Sequence, residues 1–121
     1  MNSIELGNGV LIEVEDRTTH LSGELYMVHI AITYSVALGA GDRELLKYCP
    51  SGRLAVTRLI HRPGVHSRDL ERVKRELAES FIRTTRSYME HPRFVERFKE
   101  TSLERFRKEE EKSLRAAAHE E

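Results

Sequence analysis

The sequence predicts an α+β fold, a four-stranded antiparallel meander followed by two C-terminal helices packing on the sheet. Three observations lead there. Tyr26, Val28, Ile30, Ile32, Tyr34, Val36 and Leu38 alternate with period two, the mark of a strand. Turn-forming Gly, Asn and Pro residues divide the first 62 positions into short segments of the same kind. After Ser67 the apolar spacing changes to three and four, the mark of amphipathic helices. A chain of 121 residues holds one hydrophobic core, so residues 1–121 form a single domain. Within it, 1–62 is the β-rich part, 67–108 the two helices, and 109–121 a tail expected to fray.

The first strand signal is Ser3-Ile-Glu-Leu6, followed by Gly7-Asn-Gly9 and Val10-Leu-Ile-Glu-Val-Glu15. Asn-Gly between apolar alternations predicts a hairpin with a type I′ turn. Asp16 to Gly23 is polar and closes the next connection, tightest at Ser22-Gly23. The long strand Leu25–Leu38 follows, and at about 3.3 Å per residue it would reach roughly 46 Å, long enough to need a bulge or bend. From Leu25 to Gly41 it carries no Asp, Glu, Lys or Arg, although these make up 33% of the chain. The run is too short and too often interrupted, at His29, Thr33 and Ser35, for a membrane span of about 20 apolar residues.

Asp42 is placed to cap a short helix over Arg43–Tyr48, and Pro50-Ser-Gly52 makes a turn. Arg53–His61 is the last strand, with Pro63-Gly64 expected to stop it. Ser67 is the expected N-cap of a helix reaching about Glu90, striped by Leu70, Val73, Leu77, Phe81, Thr84 and Tyr88. Pro92 suits the first turn of a second helix carrying Phe94, Phe98, Leu103 and Phe106. Past Phe106 that stripe gives way to charged residues and then Ala116–Ala118.

Matching the apolar faces of the third and fourth strands fixes their register. Setting Ile30 opposite Ile60 places Ile32 by Arg58, Tyr34 by Val56, Val36 by Leu54, and His29 directly by His61. Two opposed imidazoles are the start of a metal site, but zinc sites use three or four protein ligands. His20 and His66 are the only recruits and both lie in expected loops, so no metal and no cofactor is expected.

Other chemistry is argued down by spacing. Cys49-Pro-Ser-Gly-Arg53 has three residues between Cys and Arg, where a phosphate-ringing loop of the tyrosine-phosphatase type needs five. Gly7-Asn-Gly9 and Gly39-Ala-Gly41 lack the third glycine and the strand–loop–helix context of a dinucleotide loop. Glu13, Glu15 and Asp16 alternate as on a solvated strand, and no nucleophile-elbow signature is present. The reading leans away from an enzyme. One cysteine and an N-terminus without a basic or apolar leader region point to the cytoplasm. Hydrophobic residues at 39%, with a mean hydropathy of −0.53, describe a soluble globular chain.

Net charge is zero but unevenly spread. Residues 1–50 hold seven acids and three bases, and residues 51–121 hold thirteen acids and seventeen bases. Arg83, Arg86, Arg93, Arg97 and Lys99 gather at the helix junction beside Tyr88 and Phe94, a composition suited to nucleic acid or another anionic ligand. That is the second reading, because acids interleave with these bases at helical spacing. The first is a non-catalytic protein-interaction module, a homo-oligomer or a subunit of another protein, with no membrane partner. It rests on the uncharged second parity of the central strand, Met27, Ala31, Thr33 and Ser35, and on Phe94, Phe98 and Phe106 of the second helix.

Overall fold

Alternating β-branched and aromatic residues make Leu25–Ala37 the interior strand of a five-stranded antiparallel sheet. The computed structural model describes residues 2–119. Its strands are β1 (Asn2–Glu5), β2 (Leu11–Asp16), β3 (Thr19–Ser22), β4 (Leu25–Ala37) and β5 (Arg53–His66). The helices are α1 (Arg43–Tyr48), α2 (Leu70–Met89) and α3 (Phe94–His119), with a 3₁₀ turn at Ser67–Asp69 ahead of α2. One edge of β4 pairs with β5; the other pairs with β2 and, beyond it, β3, while β1 adds outside β2. The fold is α+β with two C-terminal helices, as the alternation and the later helical stripe predict.

The register deduced from the apolar faces is the observed one: Ile30 faces Ile60, Ile32 faces Arg58, Val36 faces Leu54, and His29 faces His61. Val28, Ile30, Ile32 and Val36 are buried with Val10, Ile12, Val14, Leu54 and Val65, and α2 and α3 pack over this side. Tyr34 meets Phe94 and Phe98 at ring separations of 6.3 and 5.4 Å, which docks the start of α3 on the same face. Among the described residues no helix is long and apolar enough to cross a membrane.

Five local features differ from expectation. The first hairpin is closed by a three-residue loop, in which Gly9 N–H donates to Leu6 O at 3.1 Å and Leu6 N–H to Val10 O at 2.8 Å. Only Gly9 takes a positive φ, +90°, so the turn is a type I turn with a glycine bulge. Asn8 is thereby free to reach outward, its amide donating to Met89 O at 2.6 Å and pinning the hairpin to the end of α2.

Asp16–Gly23 is not simply a connection, because β3 continues along β4 after a break at Arg17-Thr18. The Asp16 carboxylate accepts from Thr18 N–H at 3.0 Å, a local turn that interrupts the ladder. Arg17 N–H keeps the strand attached by donating to His29 O at 2.8 Å. Counting β2 and β3 as one broken strand recovers the meander.

Pro63 does not stop β5. It lies on a strand whose outer side is unpaired, where a missing N–H breaks no ladder. Gly64, at φ +68°, absorbs the register shift opposite Tyr26–Val28 as a bulge.

Both helix starts use histidine. His66 Nδ1 accepts from Arg68 N–H, and His91 Nδ1 accepts from Arg93 N–H, each at 3.1 Å. His66 thus caps the 3₁₀ turn ahead of α2, whose own N-cap residue Asp69 makes no side-chain cap bond, and Pro92 lies in the turn before α3 begins at Phe94. Helix α3 runs to His119, well past its packing stripe, carried by residues of high helical propensity.

Candidate interaction site

With both long helices on one side, the opposite parity of β4 has no helix over it among the described residues. It presents Met27, His29, Ala31, Thr33 and Ser35. The neighbouring rows follow from the ladder: Leu11 and Ala55 flank Ser35, Glu13 and Thr57 flank Thr33, and Glu15 and Leu59 flank Ala31. Thr33 and Thr57 hydroxyls are hydrogen-bonded at 2.8 Å, a cross-strand link in the middle of the face. Ala31 and Ser35 are nearly inaccessible, at 1% and 3%. Their small side chains lie below longer neighbours, and the Arg53 guanidinium reaches across to the Ser35 hydroxyl at 3.0 Å. Leu59 stands up from the face, 50% exposed. The centre is therefore uncharged, with Glu13 and Glu15 along one side and Arg53 at the other.

The residues singled out from sequence separate here. Met27, Ala31, Thr33 and Ser35 share the uncovered face. Phe94, Phe98 and Phe106 do not join them. Phe94 is buried among Tyr34, Tyr88 and Phe98, and Phe106 stacks on Tyr48 of α1 at 5.0 Å. These rings tie α3 to the sheet and to α1. Leu11, Ala55, Thr57 and Leu59 belong to the same face and went unnamed in the sequence reading. The signal for three of them was present, since the register that opposes His29 and His61 also sets Ala31 by Leu59, Thr33 by Thr57 and Ser35 by Ala55.

The basic group divides as well. Lys99 is drawn to Asp42 of the α1 entry at 3.0 Å. That carboxylate also accepts from Gly39 N–H at 2.8 Å, and these two bonds hold it below the usual carboxylate range. Asp42 thus closes its own loop and makes no side-chain cap on α1. Arg86 pairs with Glu90 at 2.8 Å. Arg83 and Arg86 line a groove of about 620 Å³ between α2 and the β1–β2 corner, floored by Ile4, Val14, Ile30, Ala78 and Ile82. Arg93 and Arg97 are exposed on the α3 start.

His29 and His61 meet edge to face with centroids 5.0 Å apart. His20 turns to Gly23 O at 2.7 Å and His66 to Glu24 at 2.8 Å. Among the described residues no group of three His, Cys, Asp or Glu is placed to hold a metal ion. Burial pushes the Cys49 thiol up, against a weaker opposing pull from Arg105, which suits a packed side chain better than a nucleophile. No protein-family model, curated protein or solved structure matches this chain.

Proposed function

We propose that this chain is a small non-catalytic protein-interaction module that self-associates through the uncovered face of its sheet. One observation carries the reading: the centre of that face, from Met27 to Ser35 with Thr57 and Leu59 beside it, is uncharged and, among the described residues, has no helix over it. A sheet face in a chain with this much charge is normally studded with Lys and Glu when water is its only neighbour. A two-fold axis along β4 lays β2 of one copy over β5 of the other, so Glu13 and Glu15 come over Thr57 and Leu59 and no like charges are set against each other. Sheets packed this way interdigitate at about 10 Å, and small residues at the centre permit that spacing.

Native mass spectrometry of gently purified protein tests the reading. The expected result is a dimer that becomes a monomer in Thr33→Arg, with a cooperative thermal melt showing that the variant is folded. A monomer for the unaltered chain at tens of micromolar refutes it.

A further inference from the structure

The outer edge of β5 is a second surface, perpendicular to the uncovered face. The strand is 14 residues long and, among the described residues, pairs only with β4. In an antiparallel ladder alternate residues turn their N–H and C=O groups away from the partner, so β5 offers a row of unpaired donors and acceptors. Its sequence, RLAVTRLIHRPGVH, has three arginines and no carboxylate. Arg53 bonds to the Ser35 hydroxyl, and none of Arg53, Arg58 or Arg62 joins an ion pair among the described residues. Arg58 and Arg62 are both exposed, on the same side of the strand, with half-buried Ile60 between them. This stretch lies before the Gly64 bulge, where the ladder with β4 is unbroken from Arg53 to Arg62.

We infer that this edge accepts an acidic extended peptide, which adds to the sheet as a further strand beside Arg58–Arg62. The backbone row supplies the affinity and the side-chain rows the selectivity. Residues directly opposite one another share a side of the sheet. The matching segment therefore carries an acid against Arg58, an apolar residue against Ile60 and a second acid against Arg62, with one residue between each. A second copy of β5 is a poor occupant. Antiparallel pairing centred on Ile60 sets Arg58 of each copy opposite Arg62 of the other, and like charges directly opposed destabilise a sheet. This surface is distinct from the uncovered face, so Thr33→Arg leaves it intact and the two proposals fail separately.

The experiment is a titration of the full chain with a blocked peptide of core Thr-Glu-Thr-Val-Thr-Glu-Thr, by calorimetry at low salt. Saturable binding is expected, weakened roughly tenfold or more by N-methylating the peptide backbone on its pairing side. Arg58→Glu/Arg62→Glu is expected to lose this peptide and to gain the counterpart with Lys in place of Glu. Both positions are solvent-exposed, and a melting curve verifies that the variant folds. The proposal is overturned if the N-methylated peptide binds within about threefold of the parent. It is equally overturned if the charge-reversed protein gains nothing, or if a single-stranded oligonucleotide displaces the peptide, which makes the edge a general anion surface. No saturable binding of the parent peptide also overturns it.

Discussion

Lys74 of α2 sits 2.8 Å from the Asp16 carboxylate, with 17% and 22% of the two side chains exposed. The pair clamps the helix to the end of β2. Partial burial alone would raise the Asp16 pKa, but hydrogen bonds from Lys74 and Thr18 outweigh it and hold the carboxyl below its ordinary range. The Lys74 amine is raised in turn, chiefly by its bond to Asp16. A depressed carboxyl stabilises the fold above its unfolded pKa, about 3.9, and that contribution disappears as pH falls through the lower folded value. A raised amine works in the opposite sense, stabilising below its unfolded pKa and ceasing to do so as pH rises through the folded value. Asp16→Asn should therefore cost about 1–2 kcal/mol at neutral pH and nearly nothing in strong acid. Thermal melts of both proteins from neutral pH down to pH 2 check this; parallel curves throughout would remove the pair from the account. The groups around it are named by the structure: Glu71 also reaches Lys74, at 3.3 Å.

At the scale of elements, α3 is held by aromatic contacts near its start. Phe94 is 5% exposed and touches Tyr34, Tyr88 and Phe98, whereas Phe98 keeps partial exposure and rests on Tyr34 and Phe94. Phe94→Ala should cost about 3–5 kcal/mol and Phe98→Ala less, because a partly open site leaves a smaller cavity. Urea denaturation measures the order, and a larger loss for Phe98→Ala would contradict it. The same geometry limits what a Phe98→Asp substitution can report. It strikes the join between helix and sheet, so lost folding says nothing about association, which Thr33→Arg addresses directly. Much of this element was legible beforehand: the spacing of Phe94, Phe98 and Phe106 marks one apolar stripe. Which face of the sheet the stripe would meet was not, since both parities of β4 are free of charge.

For the whole molecule, the charged last third of α3 stands apart from the core. Beyond Phe106 its contacts with the body are made by Arg107 with Glu44 and Glu110 with the Tyr48 hydroxyl, and the side chains that follow are exposed through Ala118. The Tyr48 hydroxyl is raised by that bond to Glu110. Removing residues 113–121 should leave the unfolding free energy within about 0.5 kcal/mol while lowering helical ellipticity. A loss of several kcal/mol would mean that the helix end packs on a second copy. Two surfaces then remain for recognition, the uncharged face around Thr33 and the arginine edge of β5, and they meet at Arg53, Thr57 and Leu59.

Sequence alone determined β1, β2, β4 and the first part of β5, the helical region and the pairing of β4 with β5. Alternation is a local property, and burying one face permits only registers that keep Ile30, Ile32 and Val36 together with Ile60, Val56 and Leu54. Tertiary structure decided the rest, because each remaining feature depends on residues far apart in the chain. Pro63 continues a strand because β5 is an edge, which no neighbouring residue can announce. The Asn8 amide finds its partner at Met89 O, 81 positions away. Helix α3 docks where Tyr34 offers Phe94 and Phe98 a ring to pack against, and α2 packs on the same core through Leu70, Val73, Leu77 and Phe81, which among the described residues leaves Met27 to Ser35 uncovered. Helix docking is settled by side-chain fit between distant surfaces, and periodicity carries no record of it.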